Sequence, residues 1–504
     1  MLGMASSPRT GLWLFPVFAL IVFFAHAPYF SLPYFWDELG QFVPAALDLY
    51  HDGSLVPHSA VPNAHPPGVM AYLALVWRAF GYSIPATRAA MLLLASLTLL
   101  VTFLLCLELC PDWRVGLVPV LLLAVDPFFY MQAMLAQLDM PATLFTVLAL
   151  LLFLRARYLS AALACVALVL IKETGVLVPL ILGIATLCDR SRPKRALYFL
   201  PPFLILGAWF LLLWHATHHI FGDPGFTHYN LNYALQPVHA ALSLIRHIYY
   251  VFIADFRWVL SLAILFAWRN KRIYATRNWK IIWCFIAAHL LLVSVLGGAE
   301  LERYLLPALP LFYTAAAAAL VQLKPVWRVA ALAGASAGLL AGLFTNPPFP
   351  FPFENNLAMV DFVELHRAAA QFLEKTYPSQ AIYTAWPLTA ALRNPAFGYV
   401  TTSLRTTETS DLRYSTLMAI DPRRVGVLVL YSRTWEPDRG VLRWPSAQQF
   451  LSRFYEYERQ MNALEVHQHF GLAPVRRWSR RGQWIEIYSR LEEPAPLKTV
   501  LSLK

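Results

Sequence analysis

Charge is scarce in these 504 residues: only 14% are Asp, Glu, Lys or Arg while 58% are apolar, and the mean hydropathy is +0.52. That balance excludes an ordinary soluble globular chain. Cysteine is scarce as well. Cys106, Cys110, Cys165, Cys188 and Cys284 all fall in or beside apolar runs, and the polar C-terminal third has none, so neither a disulfide framework nor a zinc-ligand spacing is present. Lysine and arginine are missing from two long stretches, Ser31 to Pro67 and Ala216 to Ile245. The net charge of +11 therefore sits elsewhere and says little about nucleic acid, because excess Lys and Arg in a membrane protein collects in cytoplasmic loops.

What is abundant is apolar sequence, in several runs near the roughly 20 residues a helix needs to cross about 30 Å of hydrocarbon. The first, Gly11 to Phe30, lacks a small-residue cleavage site and reads as a retained span. Basic clusters at Arg155 and Arg157, Arg190 to Arg195, Arg269 to Lys280, and Lys324 with Arg328 are expected inside, and the Lys/Arg-free stretches outside. Pro67 to Gly81 is too short to cross and reads as an interfacial helix. Spans at about 11–30, 86–108, 114–131, 140–155, 158–171, 174–188, 196–215, 247–268, 281–297, 304–323 and 327–345 then alternate correctly. Tyr158 to Leu187 becomes a tight hairpin with Lys172 and Glu173 at its outer tip. The expectation is a polytopic α-helical protein of about 11 transmembrane helices.

After a Pro-rich stretch, NPPFPFPFENN, the composition turns soluble. A helical pattern, VDFVELHRAAAQFLEKTY, precedes apolar runs at Ala381 to Trp386, Val425 to Tyr431 and Trp484 to Tyr488, with an amphipathic helix near Gln448 to Met461. The chain thus divides into a membrane part, 1–346, whose first outer loop is 31–85, and an α/β part, 347–504, which the odd number of spans places outside. The α/β part carries no phosphate loop, nucleophile elbow or metal spacing and reads as a binding or packing appendage.

Ionisable residues gather on the outer face. Asp37 and Glu38, in YFWDELGQF, follow the first span; taken alone they are ordinary loop charges. Asp139, in AQLDMPATLF, starts a span with no Lys or Arg nearby in sequence, so it is either functional at that depth or a helix cap. His65 precedes a Pro-Pro turn; Lys172 stands at the hairpin tip, free to pair with Glu173 or to snorkel; Arg303, before Tyr304, has Glu300 and Glu302 as neighbours. Outward acids and cations suit transfer from a lipid-phosphate donor, with a carboxylate taking the acceptor's proton and cations holding the departing phosphate.

In order, the chain shows an acid pair after the first span, a His-Pro-Pro turn, an LDM at the outer start of the fourth span, a Lys in the next hairpin and a Tyr before LLP. This series resembles the GT-C superfamily of membrane glycosyltransferases, in particular the branch with protein O-mannosyltransferases and the lipid A aminoarabinose transferase. The resemblance runs from about Leu12 to Tyr313. It implies a GT-C fold and an inverting transfer of one sugar from a polyprenyl-phosphate donor to a hydroxyl on a lipid, glycan or protein. It matches Asp37 to the catalytic base with Glu38 as its neighbour, Asp139 to a second loop acid, and Lys172 and Tyr304 to positions near the donor phosphate; joined to the outward charges, the expectation is an inner-membrane protein with an outward active site, catalytic acids in Asp37, Glu38 and Asp139, and a donor phosphate held by His65, Lys172, Arg303 and Tyr304. Where the aminoarabinose branch has an acid and a Lys before its Pro, this chain has Ala64 and His65; Asp37, Asp139 and His65 are the side chains left for a divalent ion. Other classes open at this stage are a transporter of lipid-linked sugar, which should show an internal repeat and mid-membrane charges, and a non-catalytic lipid-binding subunit.

Overall fold

A computed structural model describes residues 12–189, 193–296, 301–345, 354–432 and 440–490. Gly11, Arg190, Arg192, Glu300 and most of the Pro-rich stretch lie outside the described residues. The chain divides into two compact units, residues 1–30 with 41–345, and residues 31–40 with 346–504.

The first unit is helical. Among the described residues five helices, Ile84–Leu109, Pro193–Thr217, Arg277–Val295, Glu302–Leu320 and Pro325–Phe344, are long and apolar enough to cross a membrane, and the number rises to seven if each of two bent pairs counts as one span. Hydrocarbon explains their surfaces. Pro193–Thr217 exposes Leu197, Leu204 and Leu211, and Pro325–Phe344 exposes Val326, Trp327 and Val329, as lipid-facing helices do. Leu309–Leu320, in contrast, is buried on every side, so it forms the centre of the bundle.

Both bent pairs break at a buried charge. Trp113–Ala124 turns by 71° into Pro127–Met134, and Pro237–Phe252 turns by 84° into the helix that begins at Arg257. Asp126 occupies the first break, where its Oδ1 accepts from the backbone N–H groups of Phe128 and Phe129 and so caps the second arm. Arg257 occupies the second and pairs with Asp126 at 2.5 Å. The Tyr313 hydroxyl donates to Asp126 and receives the Arg257 Nε–H at 2.9 Å. All three side chains are fully buried, and the continuous spans expected at 114–131 and 247–268 are instead broken here.

The second unit is built on a mixed sheet of β1 (Ile382–Ala385), β2 (Thr406–Thr409), β3 (Val427–Tyr431), β4 (Ala473–Arg480) and β5 (Gln483–Ser489), in the order β2-β1-β3-β5-β4. β1 runs parallel to β2 and β3, and β5 antiparallel to β3 and β4. Central β3, VLVLY, is wholly buried, as a strand covered on both faces requires. Arg481 and Gly482 both take positive φ between β4 and β5, which suits a two-residue hairpin. Asp361, on the Ala358–Thr376 helix, receives Arg480 and Arg481 on its two oxygens at 2.9 and 3.3 Å.

Ser31–Gly40 folds with this second unit. Its aromatics explain why: Phe35 packs edge-on to Phe362, Trp36 onto Trp386 at 4.9 Å, and Tyr34 against Phe397. The Tyr399 hydroxyl donates to the Tyr34 carbonyl at 2.8 Å.

Candidate active site

Asp139 is the first residue of the Asp139–Leu154 helix, whose N-cap position falls on Leu138. Its side chain points at two cations. Its Oδ1 lies 2.6 Å from Lys172 Nζ and its Oδ2 lies 3.2 Å from Arg303 Nε. No Lys or Arg stands near Asp139 in sequence, and both partners arrive from distant parts of the chain. All three side chains are at most 10% exposed.

Each cation is aimed by its local backbone. The Tyr158–Ile171 helix ends because Lys172 takes an extended conformation, φ −148° and ψ 130°, before a short 3-10 turn, Glu173–Val176. That turn brings Lys172 Nζ over the Tyr304 ring at 4.1 Å, a cation–π distance. Arg303 and Tyr304 sit on the 3-10 turn Glu302–Ala308 that leads into the buried central helix, which fixes them on a rigid element. His289 Nε2–H donates to the Tyr304 carbonyl at 2.8 Å. A small cavity opens beside them, lined by Asp139, Thr146, Lys172, Thr174, His289 and Tyr304.

His65 does not reach this cavity's lining. Its Nδ1 pairs with Glu173 at 2.8 Å, and Phe226 stacks edge-on against its ring. Lys172 thus pairs with Asp139 and leaves its neighbour Glu173 to His65. Two further contacts hold the His-Pro-Pro turn to the hairpin region. Trp209 Nε1–H donates to the Ala64 carbonyl at 3.0 Å, and Gly68 packs so closely on the end of the Tyr158–Ile171 helix that a Cβ would lie 2.4 Å from the Leu170 carbonyl oxygen. The expected helix follows as Gly68–Phe80.

Glu302 is buried and pairs with Arg246. Lys172, Arg303 and Arg246 thus meet Asp139 and Glu302 in this part of the bundle, and Glu173 is engaged by His65. Arg246 and His289 were not singled out by sequence. The available signals were that Arg246 is the first basic residue after a long stretch without any, and that His289 is an ionisable group inside an apolar run.

Asp37 and Glu38 belong to the segment that folds with the second unit. Glu38 is buried, and its Oε2 accepts from the Phe35 N–H at 2.8 Å while its own N–H donates to the Phe35 carbonyl. It closes a turn that leaves Asp37 half-buried. Among the described residues no group of three or more His, Cys, Asp or Glu side chains could hold a metal ion. With Asp139 engaged by two cations and His65 by a carboxylate, these residues do not fit a divalent ion.

No family model and no curated protein matches this chain. Solved structures do. ArnT of Cupriavidus metallidurans bound to undecaprenyl phosphate aligns with a TM-score of 0.55 at 16% identity, covering 95% of this chain and 98% of that one. The same protein in its apo state gives 0.52 at 15% identity with equal coverage. The oligosaccharyltransferase of Archaeoglobus fulgidus is a weaker likeness, with a TM-score of 0.48 at 14% identity over 82% of this chain. The helical bundle and the small mixed sheet thus lie in a chain whose fold is similar to that of ArnT of Cupriavidus metallidurans over 95% of its length.

Proposed function

We propose that the chain is an inverting glycosyltransferase that moves one sugar from a polyprenyl-phosphate donor to a hydroxyl of a lipid, glycan or protein at the extracytoplasmic membrane face. The observation that carries this reading is the buried pair of cations, Lys172 and Arg303, bridged by the carboxylate of Asp139 beside the Tyr304 ring. Buried charge at a bundle's core marks function more often than stability. Two buried cations side by side suit a phosphate, and the structural relative ArnT is seen with undecaprenyl phosphate bound.

In this reading Lys172 and Arg303 bind the donor phosphate and stabilise the charge it gains as the anomeric C–O bond breaks. Phosphate leaves as a stable anion, so no general acid is needed. Asp139 keeps the two cations in register rather than taking a proton, and His65 acts through Glu173 to hold the hairpin tip that carries Lys172. Asp37 takes the acceptor's proton, an assignment supported by its place just after the first helix, and Glu38 shapes the turn that presents it. The transfer is a single displacement with inversion at the anomeric carbon.

Binding of bare undecaprenyl phosphate to the purified protein, compared with Lys172→Met and Arg303→Met, tests the phosphate site. Each variant should bind at least tenfold more weakly, about 1.4 kcal/mol or more. Equal binding by all three proteins would contradict the assignment.

A further inference from the structure

The segment that leads into Asp139 holds two amides whose side chains meet no hydrogen-bond partner among the described residues. Gln132, on the Pro127–Met134 helix, and Gln137, two residues before Asp139, are each 1% exposed. Their four side-chain polar atoms are buried without a hydrogen-bond partner among the described residues. Buried amides are nearly always satisfied in native proteins, and an unsatisfied one opposes folding. Two together within six residues call for a reason.

The backbone around them points the same way. Leu135 to Leu138 is neither helix nor strand, and every residue of it is buried. In a membrane protein, irregular backbone is tolerated where it is enclosed by protein or lines a polar cavity. The Pro127–Met134 helix also packs on the Glu302–Ala308 turn, which carries Arg303 and Tyr304. Gln137 thus stands two residues before the carboxylate that bridges the cations, and Gln132 sits on a helix packed against the turn that carries one of them. Arg88, from the Ile84–Leu109 helix, donates to the Met134 carbonyl at 2.8 Å and fixes the end of that short helix.

We infer that Gln132 and Gln137 form a subsite for the hydroxyl groups of a glycosyl unit next to the phosphate-binding cations. A carboxamide offers one acceptor and two donors in a plane, which matches a pair of neutral hydroxyls and confers no preference for a charged group. The cations take the phosphate, and the amides take the uncharged part of the same substrate or of a glycan acceptor. The inference rests on the transferase reading and adds which residues recognise the sugar.

The test uses Gln132→Met and Gln137→Met in the full-length protein, because methionine keeps the shape and removes the hydrogen bonds. Four probes are bound: undecaprenyl phosphate, its mannose and glucose monophosphate derivatives, and maltotriose. Wild type should bind a sugar-bearing lipid about tenfold more tightly than the bare lipid. The variants should bind the bare lipid as wild type does, lose that increment, and unfold no lower in temperature than wild type when unliganded. Loss of maltotriose binding with the increment intact assigns the subsite to an acceptor glycan instead of the donor sugar. Variants that keep both, or that lose the bare lipid in parallel, overturn the inference, as does a wild type with no increment and no maltotriose binding. A wild type that fails to bind even bare undecaprenyl phosphate overturns the phosphate site and the inference with it.

Discussion

Asp139 Oδ1 lies 2.6 Å from Lys172 Nζ although 33 residues separate them in the chain. The pair is nearly dry, and the carboxylate's other oxygen serves Arg303. Removing the carboxylate takes a shared anion from two buried cations, which typically costs about 3–5 kcal/mol. Asp139→Asn should therefore lower the unfolding temperature, and undecaprenyl phosphate should raise it by more in the variant than in wild type, because the phosphate restores the missing negative charge. Equal ligand-induced shifts in a thermal unfolding assay would show that the phosphate does not meet these cations.

Gly68 and Gly207 give opposite expectations for the same change. A Cβ on Gly68 would strike the Leu170 carbonyl carbon and oxygen, whereas one on Gly207 meets nothing within 4 Å. Gly68→Ala should destabilise by about 1–3 kcal/mol through overpacking, while Gly207→Ala should be neutral or slightly stabilising. Unfolding temperatures of the two variants check this, and a Gly68→Ala protein as stable as wild type would mean that the His-Pro-Pro turn is not seated on the hairpin.

Asp126 and Arg257 can be separated from a merely apolar need for bulk. Arg257→Met strands a buried Asp126 carboxylate and should cost about 3–5 kcal/mol. Adding Asp126→Leu removes the stranded charge, so the double variant should be more stable than Arg257→Met alone. A double variant less stable than the single one would show that the two residues do not act as a pair.

His366 sets an acid limit on the second unit. Burial pushes its pKa down to about 3, against a partial opposing effect of the hydrogen bond its Nδ1 gives to the Phe362 carbonyl. Above pH 6.5 the ring is neutral folded or unfolded and contributes nothing. As pH falls from 6.5 toward 3 only the unfolded chain takes up the proton, so stability drops, by about 2 kcal/mol at pH 5. Unfolding of His366→Leu should show a flatter acid dependence between pH 7.5 and pH 5 than wild type. Superimposable pH profiles would contradict the burial of a neutral ring.

Local features were legible in sequence and long-range pairings were not. Apolar runs marked the helices, and the extended residue at Lys172 coincides with the IKET interruption. The partners of Asp139 escaped notice because they come from two other segments, and nothing in AQLDMPATLF encodes them. The bend at Asp126 was legible in principle, since VDPFF places an ionisable residue and a proline inside an apolar run. In the second unit, β1, β3 and β5 are buried and apolar and were anticipated, whereas β2 (TTET) and β4 (APVRRWSR) are sheet edges with exposed polar side chains that carry no apolar signal. Residues 31–40 looked like a membrane-protein loop; the density of aromatics in YFW was the clue that they are packed elsewhere.

The central claim is catalysis of sugar transfer with Asp37 as base. Labelled sugar transfer from a panel of undecaprenyl-phosphate-linked hexoses and pentoses, scored by released undecaprenyl phosphate, measures it directly in wild type and Asp37→Asn. The account predicts turnover in wild type and a fall of at least about 100-fold in a folded Asp37→Asn protein that still binds undecaprenyl phosphate. Turnover of the variant at the wild-type rate, or no turnover of any donor by wild type, would contradict it.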